Sequence, residues 1–165
     1  MMGIKKNIVL IGMPGCGKTT IGMELSKILN LEFCDVDEYI VKTEGKPISE
    51  IFEKGEEHFR EIETKAVEEI SKTSPKIIST GGGVIKKAEN IEILKRNGII
   101  IFIHRPIEDI ASDVDIKSRP LLKDGVEKLY KLYEERYPLY EAYCDYKVEN
   151  INMDNCIKKV ILTLQ

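Results

Sequence analysis

The glycine-rich stretch "GMPGCGKTT" at residues 12–20 follows the apolar run "NIVLIG" and precedes a segment with a helical pattern. Gly12, Gly17, Lys18 and Thr19 satisfy the pattern G-x-x-x-x-G-K-S/T of a phosphate-binding loop (P-loop). Glycines let consecutive backbone N–H groups point at phosphate oxygens, and the following helix contributes the positive end of its dipole. The stretch therefore predicts a polyphosphate site where a strand gives way to a helix.

Two side chains of this loop have specific expected roles. Lys18 is expected to reach the β- and γ-phosphates, and the Thr19 hydroxyl is expected to bind Mg²⁺. The residues predicted to bind the nucleotide are Gly12, Pro14, Gly15, Cys16, Gly17, Lys18, Thr19 and Thr20. The alternative is a glycine-rich turn that binds nothing, and for Cys16 a small side chain that fits is favoured over a redox role.

The rest of the chain alternates strand-like and helix-like segments. Strands are predicted at 7–12, 32–37, 76–80, 98–104 and 146–150, and helices at 17–30, 56–72, 86–96, 124–143 and 154–164. Several strand runs are apolar throughout, as in strands that are covered on both faces. This pattern predicts the α/β class, a three-layer sandwich with a five-stranded parallel sheet between helices. Ligands of such folds bind at the carboxyl ends of the strands.

Two carboxylates follow the second predicted strand. Asp35 and Asp37 are two residues apart, so in a strand both side chains would point to the same face. One can help to hold Mg²⁺ or its waters, and the other can accept a hydrogen bond from an attacking hydroxyl. The alternative for Asp37 is the N-cap of a helix that begins at "EYIVKTEG".

Composition bounds the remaining possibilities. The 165 residues, 42% hydrophobic and 32% charged, predict one soluble globular domain over 1–165. A net charge of -3 gives no support for nucleic-acid binding, and the run "GIIIFI" at 98–103 is far shorter than the ~20 residues that span a membrane. The N-terminus shows no secretion signal, and the four cysteines form no C-x-x-C pair. Reduced thiols and a cytoplasmic location are therefore expected.

The end of the third predicted strand separates classes of P-loop protein. "KIIST" at 76–80 is followed by Gly81-Gly82-Gly83 rather than by an aspartate, and the chain contains no N-K-x-D guanine-binding motif. This argues against GTPases and motor-like ATPases and leaves kinases of small molecules. The triple glycine permits a close approach of ligand to backbone, although by itself it could be a simple turn.

Arginine is rare in this lysine-rich chain, with five residues at 60, 96, 105, 119 and 136. Its planar fork grips a carboxylate or phosphate at two points, which lysine cannot do. Arg96, near the end of a predicted helix, suits the helix dipole. Arg119 lies in a polar segment, 112–125, whose length predicts a mobile loop with a functional role.

"GMPGCGKTT", "DVD", "FREIE", "STGGG" and "SRPLL", in this order and spacing, resemble the shikimate kinase family over essentially the whole chain. The resemblance implies a small P-loop kinase of the nucleoside-monophosphate-kinase type. Such an enzyme moves the γ-phosphate of ATP to the 3-hydroxyl of shikimate, on the pathway to aromatic amino acids. It also implies ATP and Mg²⁺ as cofactors, a helical substrate-binding region over about 38–72, a monomer, and no nucleic-acid or membrane partner.

For the nucleotide side of the site, the resemblance implies that Lys18 and Thr19 serve ATP and Mg²⁺ and that Asp35 lies near the metal. The resemblance also implies that the loop over about 112–125 is a lid, on which Arg119 closes over the transferred phosphate, in contact with the nucleotide. A lid arginine supplied in this way would stabilise charge on the γ-phosphate.

For the acceptor side, the resemblance implies that Asp37 binds the shikimate hydroxyls and orients or deprotonates the nucleophile. Arg60 and Arg136 are implied to grip the carboxylate, and Gly82 and Gly83 to offer backbone contacts. Glu63, three residues after Arg60 on a predicted helix, can orient its guanidinium. The alternative for that pair is a solvated salt bridge on the helix surface.

The sequence departs from the family pattern in two places. The segment "DIASDVDIK" at 109–117 lacks the earlier lid arginine that stacks on adenine in many relatives, and Lys117 is a weak substitute. The spacing of Phe52 and Phe59 also differs by one residue from some relatives. The rival functions are another small-molecule kinase, acting on gluconate or a nucleoside monophosphate, and a regulatory protein that binds a nucleotide without turnover.

Overall fold

Five parallel strands form one sheet in a computed structural model that describes residues 3–113 and 122–165. The strands are β1 (Asn7–Ile11), β2 (Glu32–Asp35), β3 (Lys76–Ser79), β4 (Gly98–His104) and β5 (Tyr146–Glu149). Their order across the sheet is β2-β3-β1-β4-β5, and all four pairings are parallel. The predicted α/β class and the five-stranded parallel sheet are confirmed.

β1 lies at the centre of the sheet because its residues are apolar on both faces. All five of its residues are buried, and it pairs with β3 through Ile8 and Ile77 and with β4 through Leu10 and Ile101. β-branched side chains pack well on such a pleated, doubly covered surface. The strand therefore carries the P-loop at its carboxyl end on the most constrained element of the molecule.

Helices flank both faces of this sheet, as the alternating pattern predicts. They are α1 (Lys18–Leu29), α2 (Val36–Glu44), α3 (Ile48–Phe52), α4 (Glu56–Ile70), α5 (Ala88–Arg96), α6 (Ile107–Ser112), α7 (Leu122–Tyr143) and α8 (Met153–Thr163), with a 3₁₀ turn at Val84–Lys86. α1 packs on α8, whereas α4 packs on α2, α3 and α5. None of the helices in the described part of the chain is long and apolar enough to cross a membrane.

The predicted extent of the second strand is wrong. β2 ends at Asp35, and α2 begins at Val36, so Asp35 and Asp37 do not share the face of a strand. The cause is local: the Asp35 carboxylate accepts a hydrogen bond from the Glu38 N–H (3.1 Å) and is the N-cap of α2. The N-cap alternative considered for Asp37 is therefore wrong by two residues, and Asp37 lies in the first turn of the helix.

Other boundaries differ in smaller ways. The predicted helix over 86–96 starts two residues too early: Lys86 ends the 3₁₀ turn, Lys87 is extended, and α5 begins at Ala88. The loop predicted over 112–125 is wrong at its end, because α7 already begins at Leu122. Residues 114–121 of that predicted lid lie outside the described residues. The predicted helical region over about 38–72 contains most of α2 and all of α3 and α4.

Candidate active site

The P-loop connects β1 to α1 in a conformation that requires glycine. Gly12, Gly15 and Gly17 have positive φ angles of 151°, 83° and 101°. A Cβ atom at Gly12 would lie 2.6 Å from the Ile103 carbonyl oxygen, a contact that real structures do not show. The loop can therefore approach a ligand with its backbone because these positions lack side chains.

Lys18 lies at the start of α1 and folds back into the loop. Its buried ammonium donates hydrogen bonds to the carbonyl oxygens of Gly12 (2.6 Å) and Met13 (3.1 Å), and its Nζ atom is 3.7 Å from Cys16 Sγ. A buried positive charge is thus held at the centre of the ring of backbone groups. That is the arrangement expected of a phosphate site.

A pocket opens over this loop and joins residues that are far apart in the sequence. Its lining residues are Pro14, Gly15, Gly17, Lys18, Thr19, Thr20, Asp35, Asp37, Thr80 and Gly82. They come from the carboxyl ends of β1, β2 and β3 and from the helices that follow. Most of the loop residues predicted for the nucleotide therefore share one cavity with both predicted carboxylates and one of the predicted glycines.

Thr19 and Asp35 form the part of this pocket that suits a magnesium ion. The Thr19 hydroxyl donates to Asp35 Oδ2 at 3.3 Å, and both groups are exposed to the pocket. Among residues 3–113 and 122–165, no group of three or more His, Cys, Asp or Glu side chains is arranged so that it could hold a metal ion by itself. Mg²⁺ is commonly held by one or two protein oxygens together with phosphates and waters, so this donor pair fits the ion.

Asp37 faces the triple glycine from the first turn of α2. A Cβ at Gly81 would lie 3.1 Å from Asp37 Oδ1, so the carboxylate approaches the backbone of that loop closely. Burial raises the pKa of Asp37, and the neighbouring Asp35 adds to the rise, while Lys18 and Arg60 oppose it. The carboxylate therefore holds a proton more tightly than an exposed aspartate does, which suits a group that receives one.

Arg60 and Glu63 form a buried ion pair on α4. Arg60 Nη1 lies 2.9 Å from Glu63 Oε1, and the two residues are 7% and 0% exposed. The surface salt bridge considered as the alternative for this pair is therefore wrong. Burial raises the pKa of Glu63 despite the attraction of Arg60. The stacked rings of Phe52 and Phe59 also contact the guanidinium, whose Cζ lies 5.9 and 5.0 Å from their centroids.

Arg60 and Arg136 converge on the glycines that follow β3. A Cβ at Gly83 would collide with the Arg60 guanidinium, and one at Gly82 would lie 2.9 Å from Arg136 Nη1. Arg136 Nε is buried and has no hydrogen-bond partner among the residues that the structure describes. Two arginine forks, one from α4 and one from α7, thus flank the same glycines. Such an arrangement fits a carboxylate ligand.

Two residues that the sequence analysis did not identify support this arrangement. The fully buried Tyr140 donates its hydroxyl to the Gly82 carbonyl oxygen at 2.6 Å, and burial raises its pKa to about 12, so the hydroxyl stays protonated. Asn150 donates its side-chain N–H to the Cys16 carbonyl oxygen at 2.8 Å. Tyr140 lies one helical turn after Arg136, so the sequence indicates that it shares a helix face with a predicted site residue. Nothing in the sequence around Asn150 indicates its contact with the P-loop.

Arg119 and Lys117 lie outside the described residues, so the predicted role of Arg119 at the nucleotide stays a prediction. Every other predicted site residue is described. A P-loop, a partly buried carboxylate and two convergent arginines meet at one edge of a parallel α/β sheet. Together they define a P-loop phosphotransferase that acts on a small anionic acceptor.

Comparison with known proteins specifies the family within this class. The family model described as shikimate kinase matches residues 14–165, and the chain belongs to the shikimate kinase family. A shikimate kinase of Clostridium beijerinckii is 52% identical over 163 residues, which cover 96% of each chain. One of Clostridium botulinum (strain Alaska E43 / Type E3) is 52% identical over 158 residues, 96% of this chain and 94% of its own.

Solved structures agree. A shikimate kinase of Acinetobacter baumannii in complex with shikimate superposes with a TM-score of 0.87 at 35% identity, covering 96% of this chain and 92% of its own. The Aquifex aeolicus shikimate kinase gives 0.84 at 38% identity, with 96% and 95% coverage. A gluconokinase of Sinorhizobium meliloti, at 14% identity and a TM-score of 0.59, shares the fold.

Proposed function

We propose that this chain transfers the γ-phosphate of ATP to the 3-hydroxyl of shikimate, giving shikimate 3-phosphate and ADP. The observation that carries the proposal is the convergence of Asp37, Arg60 and Arg136 on the glycines beside the P-loop. A donor site and an acceptor site therefore lie next to each other. The shikimate complex of the Acinetobacter baumannii relative supports the choice of acceptor.

The acceptor side matches the chemistry of shikimate, a carboxylate on a ring of hydroxyls. Arg60 and Arg136 supply planar donors for the carboxylate, and Glu63 restrains Arg60 at 2.9 Å. Asp37 supplies an acceptor for a hydroxyl hydrogen. The backbone of Gly82 and Gly83 can lie against the ring because neither residue has a side chain.

The donor side places phosphates over the backbone N–H groups of the P-loop. On binding, Lys18 would exchange its bonds to Gly12 and Met13 for phosphate oxygens. Thr19 and Asp35 would hold Mg²⁺, which when bound supplies positive charge that offsets the charge of the phosphates.

The reaction is an in-line displacement. The 3-hydroxyl oxygen forms a bond to the γ-phosphorus as the bond from that phosphorus to the oxygen it shares with the β-phosphate breaks. Asp37 accepts the hydroxyl proton, and its raised pKa favours that transfer. Lys18 and Arg119 stabilise the charge on the transferring group. Closure over the site would exclude water, a competing acceptor.

A coupled assay that measures ADP release tests the function. The purified protein is offered ATP and Mg²⁺ with shikimate, gluconate or AMP in separate reactions. Turnover with shikimate and background rates with the other two are expected. A preference for gluconate or AMP would contradict the acceptor, and nucleotide binding without transfer to any acceptor would favour a regulatory protein.

A monomer in the cytoplasm completes the proposal. Support for the location is chemical: the cysteines at 16, 34, 144 and 156 are all free thiols, as is usual in a reducing compartment. Size-exclusion chromatography with light scattering tests the oligomeric state. A mass near 18.8 kDa is expected, and twice that mass would contradict it.

A further inference from the structure

A row of aromatic rings joins β4 to α7 beside the proposed acceptor site. The rings are those of Phe102, His104, Tyr133, Tyr137 and Tyr140, and the centroids of ring pairs in contact lie 5.1–6.1 Å apart. The first two residues belong to β4 and the three tyrosines to α7. Positions 133, 136, 137 and 140 share one face of a helix, because they are three or four residues apart. The face of α7 that carries Arg136 is therefore the face that packs on the sheet.

His104 is the polar member of this row, and both of its ring nitrogens have partners. Nδ1 lies 2.6 Å from Glu149 Oε2, and Nε2 lies 3.0 Å from the Tyr133 hydroxyl. His104 and Glu149 are register partners on the parallel strands β4 and β5, so the sheet sets the position of the imidazole. The tautomer that satisfies both contacts carries its proton on Nδ1 and accepts at Nε2 from the tyrosine. Burial raises the pKa of Tyr133, so its hydroxyl keeps the proton that it donates.

A second contact ties the row to β5 but is more exposed to water. Lys147 Nζ donates to the Tyr137 hydroxyl at 2.7 Å. The Lys147 side chain is 34% exposed, against 15% for that of His104. A hydrogen bond that is shielded from water is electrostatically stronger and is harder to replace with a solvent contact. Of the two contacts, the one from His104 therefore holds α7 more firmly.

α7 needs such an anchor because its backbone is weakened next to Arg136. Pro138 lies inside the helix and has no N–H, so the Glu134 carbonyl oxygen does not receive the bond that an uninterrupted helix would supply. After the proline, the helix is tied to the glycine loop through the Tyr140 hydroxyl. Before the proline, it is tied to the sheet through Tyr133. Arg136 lies between these two ties, so its place depends on both of them.

We propose that His104 is a positioning residue of this active site: through Tyr133 it holds the turn of α7 that brings Arg136 to the carboxylate of the acceptor. The inference rests on the proposed function, in which Arg136 grips that carboxylate. A Cβ at Gly82 would lie 2.9 Å from Arg136 Nη1, so the guanidinium lies close against the glycine loop. A shift of the helix by about 1 Å would break a hydrogen bond between the guanidinium and a carboxylate bound there.

Steady-state kinetics of three variants test this inference. Tyr133→Phe removes the hydroxyl and keeps the ring, and we expect the KM for shikimate to rise about three- to fivefold, the equivalent of one hydrogen bond, with the KM for ATP unchanged. His104→Phe keeps an aromatic ring in the row and removes both polar contacts, so its effect should be at least as large. Tyr130→Phe is the matched control, because it removes a hydroxyl from an exposed position of the same helix, and it should change neither KM.

A double-variant cycle shows whether the effect passes through Arg136. In an Arg136→Lys background the planar fork is absent, so Tyr133→Phe should raise the KM for shikimate no further. A further rise of the same size in that background would show that Tyr133 acts independently of Arg136, and the inference would be overturned.

The remaining outcomes separate this inference from the proposed function. Lower thermal stability of Tyr133→Phe with both KM values unchanged would show a merely structural role, which would overturn the inference and leave the function standing. Equal rises in the KM for shikimate and the KM for ATP would indicate general distortion and would also overturn it. A wild-type protein that does not phosphorylate shikimate would contradict the function and, with it, this inference, so the wild-type reaction distinguishes the two failures.

Discussion

At the level of single residues, the acceptor pocket contains two carboxylates, those of Asp37 and Glu63, whose ionised forms are disfavoured by burial. Burial raises the pKa of both Asp37 and Glu63, although arginines lie close to each of them. A carboxylate whose pKa is raised on folding lowers the free energy of unfolding at neutral pH, so stability does not explain its presence. For Asp37 we propose that the reason is acceptance of the proton from the acceptor hydroxyl, and for Glu63 that it is the ion pair that orients Arg60.

Asp37→Asn is expected to lower turnover at least 100-fold while leaving the Kd for ADP within twofold, because the amide cannot accept a proton. The same change should increase the free energy of unfolding at pH 7. The folded pKa of Asp37 lies above its unfolded value of 3.8, so the penalty is absent below that pH and grows as the pH rises through the folded pKa.

Coupled assays and urea titrations at pH 7 and pH 3 check both parts. The stabilisation should vanish at pH 3, where the aspartate is neutral in both states. Glu89→Gln makes the same chemical change at an exposed position in the first turn of α5, and it should alter neither turnover nor stability appreciably. Full turnover by Asp37→Asn would contradict the proposed role.

Tyr140→Phe tests whether the tyrosine positions the glycine loop at residues 81–83, which lies beside the proposed acceptor site. The substitution leaves the Gly82 carbonyl without its donor, which should cost about 1–3 kcal/mol of unfolding free energy. The KM for shikimate should rise severalfold, whereas the KM for ATP should not change. A merely structural role would lower stability and leave both KM values intact, and that result would count against positioning.

At the scale of elements, the P-loop depends on a contact from the far end of the chain. Asn150 at the end of β5 donates its side-chain N–H to Cys16 and its backbone N–H to the His104 carbonyl oxygen, 2.7 Å away. It therefore ties the loop to the neighbouring strand. The strands deliver such residues because their carboxyl ends all lie at one edge.

Asn150→Ala is expected to raise the KM for ATP about tenfold through loss of this tie, with little change in the KM for shikimate. Asn97→Ala is the matched control, since Asn97 makes an equivalent amide-to-carbonyl bond to Ser71 (3.0 Å) in a cavity away from the active site. Steady-state kinetics of the two variants make the comparison. Equal kinetic defects in both would indicate general destabilisation and would contradict the specific role of Asn150.

The strands and the P-loop could be predicted because their signals are local. Strand-like runs, several of them apolar throughout, located all five strands to within about two residues at each end, and the loop motif located the start of α1. The turn from β2 into α2 was missed because the capping bond of Asp35 to Glu38 competes with continuation of the strand. The hydrogen bonds of Asn150 and Arg105 to the P-loop could not be predicted, since their acceptors, the carbonyl oxygens of Cys16 and Gly15, lie 134 and 90 residues away in the sequence.

At the scale of the whole molecule, each strand delivers part of the site from its carboxyl end. β1 leads to the P-loop, β2 to Asp35, β3 to the triple glycine and β5 to Asn150, while β4 leads to Arg105, which donates to the Gly15 carbonyl oxygen of the P-loop. One sheet edge therefore organises both substrates. The rigid, buried centre at β1 keeps the donor site and the acceptor site in a fixed relation.

Ligand binding at this edge should stabilise the whole fold. ADP with Mg²⁺ at 100 times its Kd is expected to add about 2.7 kcal/mol to the free energy of unfolding. Chelation of the metal with EDTA should remove much of the gain in Tm. Asp35→Asn retains an oxygen that can cap α2, and it should reduce the difference between the gain in Tm with Mg²⁺ and the gain with EDTA. Differential scanning fluorimetry measures all of these. An identical gain in Tm with and without EDTA would contradict the proposed metal site.

A crystal structure with shikimate, ADP and Mg²⁺ bound together would show both substrates at this edge of the sheet. We expect the β-phosphate to lie over the P-loop at residues 15–19 and the shikimate carboxylate to lie between Arg60 and Arg136. The 3-hydroxyl should lie within hydrogen-bond distance of Asp37 and face the β-phosphate. A carboxylate bound away from both arginines, or a 3-hydroxyl turned away from the nucleotide, would contradict this arrangement.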